Sequence, residues 1–312
     1  MLSIREHEPL GPKTTMRIGG TARYYADLAT KQDVEEAWAF SQKNTVPLIV
    51  LGSGSNTIFA DEEIQVVVCR VTAQQWSRDN SATSATPVNS ATLSVESGKN
   101  LPMLINELAQ QGLDLSPLTG IPCTLGGAIF GNAGQGPKGI WIDRFIESVT
   151  IFDGVWKTLS KQECQFTYRE SIFKHWPTHD SRLTTHDLPI SPLPIIWCAV
   201  LKIPTGDPTA VKAEIERLLL NRIETQPHQR TAGSCFKAVG GTPAWQLIDA
   251  VGLRGYKSGG VTVSEKHANF LIGEKGATFK DAVDVVSAVK EKIPEKLDVE
   301  MRFVKPDGSL LF

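Results

Sequence analysis

The chain has 312 residues, of which 41% are hydrophobic and 21% charged, and its formal net charge is −2. That length allows two or three domains with apolar cores, and the balanced charge argues against a nucleic-acid-binding or membrane-surface role. The N-terminus lacks the apolar core of a secretory signal, and no apolar run approaches the roughly 20 residues that span a bilayer. Five cysteines without paired spacing argue against disulfides and a metal site. We therefore expect a cytoplasmic protein that binds neither nucleic acid nor membrane.

The first part of the chain alternates between helix and strand signals. A helix is predicted over residues 30–44, where Thr30 caps the N-terminus and Asp33 stands at the capping-box position. Apolar runs at 46–51 and 64–69 predict two strands joined by a tight loop.

Two polar stretches read as surface insertions. Residues 74–92 are rich in Ser, Thr and Asn and predict an exposed hairpin or loop, with the insertion itself at 77–92. Residues 175–194 hold prolines and three histidines without ligand-like spacing. The remaining elements follow from periodicity and from capping or breaking residues: strands at 92–98, 144–154, 194–203, 259–264, 268–273 and 297–304, and helices at 100–112, 210–224, 243–252 and 279–292.

The loop between the first two strands reads GSGSN and is an anion-binding candidate. Small side chains and turned-in backbone N–H groups allow close approach to a ligand. The loop lacks the Gly-Lys-Ser/Thr of a Walker A motif, and it is not followed directly by a helix as a Rossmann fingerprint requires. Taken alone, it is equally well explained as a plain tight turn. Its residues are Gly52, Ser53, Gly54, Ser55 and Asn56.

A second glycine region, GIPCTLGGAIFGNAG at 120–134, strengthens the binding interpretation. It places five glycines among apolar residues, a mixture that a flexible linker would not carry. A buried, glycine-lined wall against a flat or phosphorylated ligand explains this pattern better. Two such regions, each beside a strand, suggest an extended dinucleotide held between two small α+β units.

The motifs together resemble a known family. TTMRIGGTARYY, VLGSGSN, GIPCTLGGAIFGNAG, YRES, AGSCFK, GGVTVSEKHANFLI and VEMRFV occur in the order and at roughly the spacing found in UDP-N-acetylenolpyruvoylglucosamine reductases. The resemblance runs from about Thr14 to Val304, and the short spacing after AGSCFK is similar to the shorter subtype, which lacks an extra insert.

This resemblance implies an α+β fold of the vanillyl-alcohol-oxidase (PCMH) type. It predicts FAD-binding subdomains at 1–73 and 74–206 and a substrate-binding domain at 207–312. It also implies noncovalent FAD, NADPH as hydride source, a UDP-sugar substrate and a step of peptidoglycan precursor synthesis. We expect a monomer.

The implied reaction adds a hydride and a proton to an enol ether, so charge develops on the carbon beside the substrate carboxylate. The site must stabilise this charge and then protonate that carbon. By resemblance, Arg169 of YRES binds the carboxylate, Glu300 stabilises the intermediate and Ser234 donates the proton. From the residues alone, an exposed charge is the preferred interpretation of Arg169, and a solvated salt-bridge face of the strand is that of Glu300.

Ser234 has Cys235 as its neighbour, and only one of the two can face a substrate. Adjacent side chains of a strand point to opposite faces. If Ser234 faces the site, Cys235 faces the core, which is the commoner environment of a free cysteine. A serine that only gives up a proton to a strongly basic carbon needs no base beside it.

The resemblance also implies binding residues. Flavin contacts are expected from the GSGSN loop and from Gly120, Ile121, Pro122, Thr124, Gly126, Gly127 and Asn132. Substrate contacts are expected from Tyr168, Gln226, Lys237 and His267, although His267 reads equally as a structural histidine.

Two positions depart from the family pattern. Cys123 stands where glycine is usual in the flavin loop, and Ala238 where an asparagine is common. Two other functions remain open from the sequence: another FAD-dependent oxidoreductase of the same fold, and a non-catalytic FAD- or UDP-sugar-binding protein. The combination of Arg169, Ser234 and Glu300 favours the reductase over both.

Overall fold

A computed structural model describes residues 1–78, 89–135, 139–176 and 193–312, and these form fourteen strands and six α-helices. The strands are β1 (Ile4–Pro9), β2 (Thr21–Leu28), β3 (Leu48–Val50), β4 (Thr57–Phe59), β5 (Glu63–Val71), β6 (Trp76–Arg78), β7 (Ser90–Glu96), β8 (Ile146–Phe152), β9 (Trp156–Ser160), β10 (Ile195–Pro204), β11 (Lys257–Ser258), β12 (Val261–Val263), β13 (Leu271–Gly273) and β14 (Arg302–Val304). The helices are α1 (Lys31–Asn44), α2 (Leu101–Ala109), α3 (Leu125–Phe130), α4 (Pro208–Thr225), α5 (Ala244–Ala250) and α6 (Phe279–Lys292). In the described part of the chain, no helix is long and apolar enough to cross a membrane.

The helix starts predicted from local signals are confirmed. At α1, Thr30 Oγ1 accepts a hydrogen bond from the Asp33 N–H at 3.1 Å, and Asp33 Oδ2 accepts one from the Thr30 N–H at 2.8 Å. Asn100 caps α2 through its side chain, and α6 begins and ends at the predicted residues. These signals succeed because the capping atoms lie within three residues of the N–H groups that they satisfy.

Other predictions need correction. The last strand, expected over 297–304, is only β14, because the Glu300 and Met301 N–H groups both point to the Cys235 carbonyl oxygen and interrupt the ladder. β6 lies inside the stretch predicted as an exposed hairpin or loop at 74–92 and agrees with the hairpin alternative, since it pairs antiparallel with β7. α3 was not predicted, because it lies inside the glycine region and glycine disfavours helix. Most of both predicted insertions lies outside the described residues.

The chain divides into two compact units. Unit 1 comprises 1–3, 26–52 and 68–221, and unit 2 comprises 4–25, 53–67 and 222–312. A four-stranded sheet has the order β1-β2-β5-β3, and the division between the units falls within β2 and β5. The three predicted domains, 1–73, 74–206 and 207–312, stay a prediction.

Unit 1 contains an antiparallel five-stranded sheet with the order β6-β7-β10-β8-β9. Its apolar core joins this sheet to α2 and α3. Alternate residues of β7 are buried, as a sheet covered on one face requires, whereas the edge strands β6 and β9 have no buried residue. The fully buried core residues of these elements include Leu93, Val95, Leu101, Leu104, Leu108, Leu125, Ile129, Val149, Ile151 and Leu201.

Unit 2 combines the three-stranded sheet β11-β12-β13 with the parallel pair β14-β4 and with α5 and α6. One apolar face of α6, formed by Ala282, Val285, Val286 and Val289, is buried in its core. Met16, Ile18 and Ile58 belong to the same core although they come from the first fifth of the chain. Unit 2 is therefore built from segments far apart in sequence.

Position 20, the last residue of the IGG motif in unit 2, has no room for a side chain. A Cβ atom at this position would lie 2.2 Å from the Glu62 carbonyl oxygen and 2.3 Å from that of Asp61. We expect Gly20→Ala to lower the free energy of unfolding by about 1–3 kcal/mol, because the backbone must shift to admit the methyl group. Thermal unfolding tests this, with the exposed Gly206→Ala as control. Equal melting temperatures for the two variants would contradict it.

Candidate active site

The two glycine regions meet within unit 1. A Cβ atom at Gly52 would lie 2.8 Å from Thr124 Oγ1 and 3.9 Å from the Gly127 Cα. Arg70 holds this end of the loop, since its Nε donates to the Gly52 carbonyl oxygen at 3.1 Å. The close approach of two backbone segments accounts for glycine at position 52. The structure thus brings together residues that the sequence separates by more than seventy positions.

The Thr124–Gly127 segment leaves one glycine open. Thr124 Oγ1 accepts a hydrogen bond from the Gly127 N–H at 3.2 Å, and the Gly126 N–H donates to the Ser97 carbonyl oxygen at 2.8 Å. Gly126 packs tightly, because a Cβ there would lie 3.0 Å from the Ser97 Cβ. Gly127 is exposed, and a Cβ there would have no neighbour closer than 3.5 Å. An exposed glycine beside the Gly52 backbone fits close contact with a large ligand.

The rest of the predicted flavin loop differs in burial. Gly120 has a left-handed φ of 78°, Ile121 packs on the core of unit 1, and Pro122 is exposed. Cys123, where the family has glycine, is 8% exposed and its N–H donates to the Ile121 carbonyl oxygen at 3.0 Å. Its thiol therefore faces the protein rather than the loop surface.

The other part of the GSGSN loop belongs to unit 2. Gly54 has a φ of 67°, and a Cβ there would lie 2.2 Å from the Lys13 carbonyl oxygen, so only glycine fits. The Gly54 carbonyl accepts the Thr15 N–H at 3.0 Å. Asn56 Nδ2 donates to the Glu300 carbonyl oxygen at 3.1 Å, and the Asn56 carbonyl accepts the Arg302 N–H at 2.9 Å. The predicted flavin loop thus fixes the backbone that carries Glu300. Ser53 and Ser55 of the same loop are half-buried.

The Ser234–Phe236 segment lies between two partners in unit 2. Ser234 forms a bridge with Phe270, and the Glu300 N–H donates to the Cys235 carbonyl oxygen at 2.7 Å. Ser234 is half-buried, whereas Cys235 is 0% exposed, so Cys235 lies in the core as expected, and the direction of the Ser234 side chain stays a prediction. Burial and the nearby Glu300 carboxylate raise the pKa of the Cys235 thiol far above its usual value. Cys235 is therefore an inert core residue.

Asn269 is a residue of this region that sequence reasoning missed. Its side chain is 5% exposed and bonds both backbone groups of Phe236: Oδ1 accepts the N–H at 2.9 Å and Nδ2 donates to the carbonyl at 2.8 Å. The Asn269 carbonyl also accepts the Cys235 N–H at 2.8 Å. An asparagine that replaces a strand partner in this way leaves no periodic pattern. The only signal was its place in the quoted motif GGVTVSEKHANFLI.

Arg169 lies in a tight turn of unit 1. The Thr167 and Glu170 backbones exchange two hydrogen bonds of 3.1 Å, and Arg169 within the turn has a left-handed φ of 59°. Its Nη2 donates to the Gly134 carbonyl oxygen at 2.8 Å, and its guanidinium lies 5.7 Å from the centre of the Tyr168 ring. Arg169 is half-buried and held by the second glycine region, so it is not a freely solvated charge.

Comparison with known proteins decides what this arrangement belongs to. A family model described as the C-terminal domain of UDP-N-acetylenolpyruvoylglucosamine reductase matches residues 226–303, and an FAD binding domain model matches 22–155. The reductase of Moorella thermoacetica is 30% identical over 96% of this chain and 91% of its own. That of Chlamydia trachomatis serovar D is 28% identical over 97% and 96%. The crystal structure of the reductase from Thermus caldophilus matches with a TM-score of 0.76, at 28% identity over 97% of this chain and 98% of that one.

The chain belongs to the UDP-N-acetylenolpyruvoylglucosamine reductase family.

Membership of the reductase family confirms the resemblance of the motifs and makes the chain an FAD-dependent oxidoreductase of peptidoglycan precursor synthesis. The α+β fold class with an FAD-binding fold of the vanillyl-alcohol-oxidase type is confirmed as well. The roles of individual residues are a separate matter, and these stay predictions.

The residues predicted to contact substrate in the reductase family fall in both units. Tyr168 lies in unit 1, where its ring centre is 5.7 Å from that of Trp141. In unit 2, Gln226 Oε1 accepts a hydrogen bond from Arg222 Nη1 at 3.4 Å, and Lys237 is half-buried with its N–H bonded to the Asp298 carbonyl. Unit 2 also contains a cavity of about 270 Å³, whose lining begins one residue after Gln226. It is lined by Pro227, His228, Gln229, residues 262–266 and Ile272.

His267 is held as a neutral imidazole. Its Nδ1 accepts the Asn269 N–H at 3.3 Å, and its ring packs against Phe270 at 4.8 Å and Trp245 at 6.1 Å between centres. Burial lowers the pKa of His267 below its usual value. These contacts favour the structural interpretation of His267 and leave room for a substrate contact only through its other nitrogen.

The lowered pKa makes stability depend on pH. The unfolded chain binds a proton at His267 more readily than the folded chain, so stability is full above the ordinary pKa of about 6.5 and falls as the pH drops toward the native pKa. We expect the melting temperature of His267→Gln to fall less than that of the unsubstituted protein when the pH is lowered from about 7.5 to about 5. His228→Gln, at an exposed histidine, is the control. Identical pH profiles for all three proteins would rule out this contribution.

Proposed function

We propose that this chain reduces the enolpyruvyl group of UDP-N-acetylglucosamine enolpyruvate to UDP-N-acetylmuramate, with NADPH as co-substrate. The observation that carries the proposal is the half-buried Ser234, which pairs with Phe270 and directly precedes Cys235, whose carbonyl oxygen accepts the Glu300 N–H. A partly accessible serine on a backbone held in this way suits a proton donor. Family membership supplies the substrate class.

The glycine segments of unit 1 fit noncovalent FAD. The Gly52 backbone lies beside Thr124 and the exposed Gly127, where a ligand can approach the backbone closely, and Gly120 has a left-handed φ in the same glycine region. We assign flavin contacts to the GSGSN loop and to Gly120, Ile121, Pro122, Thr124, Gly126 and Gly127. When bound, FAD supplies the hydride that it has received from NADPH.

Three residues of the chain carry the remaining chemistry in this proposal. The Arg169 guanidinium binds the substrate carboxylate and compensates the negative charge that grows there during the reaction. Ser234 Oγ donates its proton to the carbon next to that carboxylate, and the serine regains a proton from solvent. Glu300 stabilises the charged intermediate from the strand segment that Asn56 and Cys235 hold. Cys235 takes no part.

Further assignments follow from the same proposal. Tyr168, Gln226, Lys237 and His267 contact the UDP-sugar, residues 1–73 and 74–206 bind FAD, and residues 207–312 bind substrate. We also propose that the protein works as a cytoplasmic monomer. Ala238 stands where the resemblance of the motifs implies an asparagine, and we infer that one polar contact with the substrate is absent there.

The test is an assay of NADPH oxidation by the purified holoenzyme with and without UDP-N-acetylglucosamine enolpyruvate. We expect substrate-dependent oxidation and formation of UDP-N-acetylmuramate. Acid precipitation should release the flavin into the supernatant, since its binding is noncovalent. Oxidation that ignores the enol ether would refute the proposed substrate and favour another FAD-dependent oxidoreductase.

A further inference from the structure

The side chain of Asn132 belongs to the architecture around Arg169 rather than to the flavin surface. We propose that Asn132 is a positioning residue, which fixes the Thr167–Glu170 turn and thereby the direction of the Arg169 guanidinium. The inference rests on the role of Arg169 in the proposed function. It replaces the expectation that Asn132 contacts FAD.

The first observation is the backbone of Arg169 itself. Its φ of 59° lies in the left-handed region, which is unfavourable for a residue with a long side chain. Such a conformation persists only where neighbouring groups hold it, and it is typical of functional positions. The two hydrogen bonds within the turn, both 3.1 Å, join only Thr167 and Glu170. The orientation of the turn must therefore be fixed from outside.

The second observation is that alternate residues of the FGNAG segment (130–134) provide that support. The Phe130 carbonyl accepts Ser171 Oγ at 2.7 Å, Asn132 Nδ2 donates to the Thr167 carbonyl at 2.8 Å, and the Gly134 carbonyl accepts Arg169 Nη2 at 2.8 Å. Asn132 is the only one of the three supports that acts through its side chain. A substitution can therefore remove it without touching the backbone bonds.

The third observation is that Asn132 is fully buried and that both polar atoms of its side chain are hydrogen-bonded. It is 0% exposed and has a φ of 41°, a conformation that asparagine tolerates better than most residues. Its Oδ1 accepts the Asp143 N–H at 3.3 Å while Nδ2 holds Thr167. Its own carbonyl oxygen lies 3.5 Å from Arg169 Nη1. Side chain and backbone of one buried residue thus contact both ends of the Thr167–Arg169 segment.

Asn132→Asp tests the proposal with almost no change in volume. The carboxylate keeps the acceptor for the Asp143 N–H but places an oxygen against the Thr167 carbonyl, so the support is lost. We expect kcat/KM for the enol ether to fall roughly 10- to 100-fold, the cost of a misplaced binding group. Flavin affinity and the rate of flavin reduction by NADPH should stay within about twofold. Asn132→Gly, which suits the left-handed backbone and removes the amide, is the second variant if the first fails to fold.

Asn44→Asp is the matched control. Asn44 Nδ2 also donates to a backbone carbonyl, that of Phe40, at 2.8 Å, but on the exposed end of α1. This variant should keep full activity.

A double-mutant comparison separates positioning from general damage. In an Arg169→Lys background, Asn132→Asp should lower kcat/KM for the enol ether by less than about threefold, because the guanidinium that Asn132 orients is already replaced. In a Ser234→Ala background, Asn132→Asp should lower kcat/KM by the same factor as in the native enzyme. Equal losses in both backgrounds, or a fall in flavin affinity, would overturn the proposal.

Hydrogen exchange provides a reading that needs no substrate. The Glu170 N–H donates to the same Thr167 carbonyl that Asn132 holds, so exchange in residues 167–171 should accelerate at least about tenfold in Asn132→Asp and not in Asn44→Asp. Unchanged exchange would sink the proposal even if turnover fell. If the native enzyme ignored the enol ether, the proposed function would fail, while exchange would still decide whether Asn132 fixes the turn.

Discussion

Ser234→Ala is expected to reduce turnover by roughly 10²–10⁴-fold, the usual contribution of a general acid. Flavin reduction by NADPH should continue at nearly the native rate, because it needs no proton from Ser234. The loss should fall on protonation of the carbon beside the carboxylate. Stopped-flow absorbance separates the two half-reactions and shows which one has slowed.

Two neighbouring substitutions serve as controls for Ser234→Ala. Ser234→Cys should recover part of the lost turnover, since a thiol in the same place can also deliver a proton. Cys235→Ala should leave turnover intact, because that thiol is buried and its raised pKa makes it a weak acid. Loss of activity in Cys235→Ala with full activity in Ser234→Ala would reverse the assignment of the pair.

Arg169→Lys is expected to lower kcat/KM roughly 10²-fold, with little effect on FAD binding. Lysine keeps the positive charge but loses the planar, two-point contact with a carboxylate. It also cannot keep the Nη2 bond to the Gly134 carbonyl while reaching a ligand. Steady-state kinetics and flavin titration of the same preparation measure both effects.

The matched control for Arg169→Lys is Arg144→Lys, at an exposed arginine of unit 1. It should change neither kinetics nor flavin affinity. Near-native kinetics of Arg169→Lys would remove Arg169 from the mechanism, whereas an equal loss in both variants would point to charge effects without a specific site.

Elements defined by short-range signals could be predicted from the sequence. The capped starts of α1, α2 and α6 and the strands β3, β5 and β7 appear where local patterns put them. β4 and β9 did not emerge because neither lies in an apolar run as long as residues 46–51, which marked the equally short β3. β14 was predicted too long, because a distant partner, the Cys235 carbonyl, decides where the ladder is interrupted.

The candidate site divides along the same line. The burial of Cys235 was expected from strand alternation, although the segment forms only isolated bridges and Phe236 is buried as well. The two glycine regions were expected to bind one extended dinucleotide, and their contact at Gly52 and Thr124 agrees with a shared ligand. The left-handed backbone of Arg169 and the clamp of Asn269 on Phe236 could not be predicted. Both depend on contacts across more than thirty residues, which leave no trace in local sequence.

The interleaved path of the chain bears on how the protein is made. The core of unit 2 needs Met16, Ile18 and Ile58 together with residues as late as Met301 and Phe303. On a ribosome that adds about 5–20 residues per second, the early apolar side chains wait on the order of tens of seconds for their partners. They spend that interval on an unfinished polypeptide, where chaperone binding competes with aggregation. Gene fragments that begin near residue 222 encode the late partners alone, so they yield a polypeptide without the side chains that close this core.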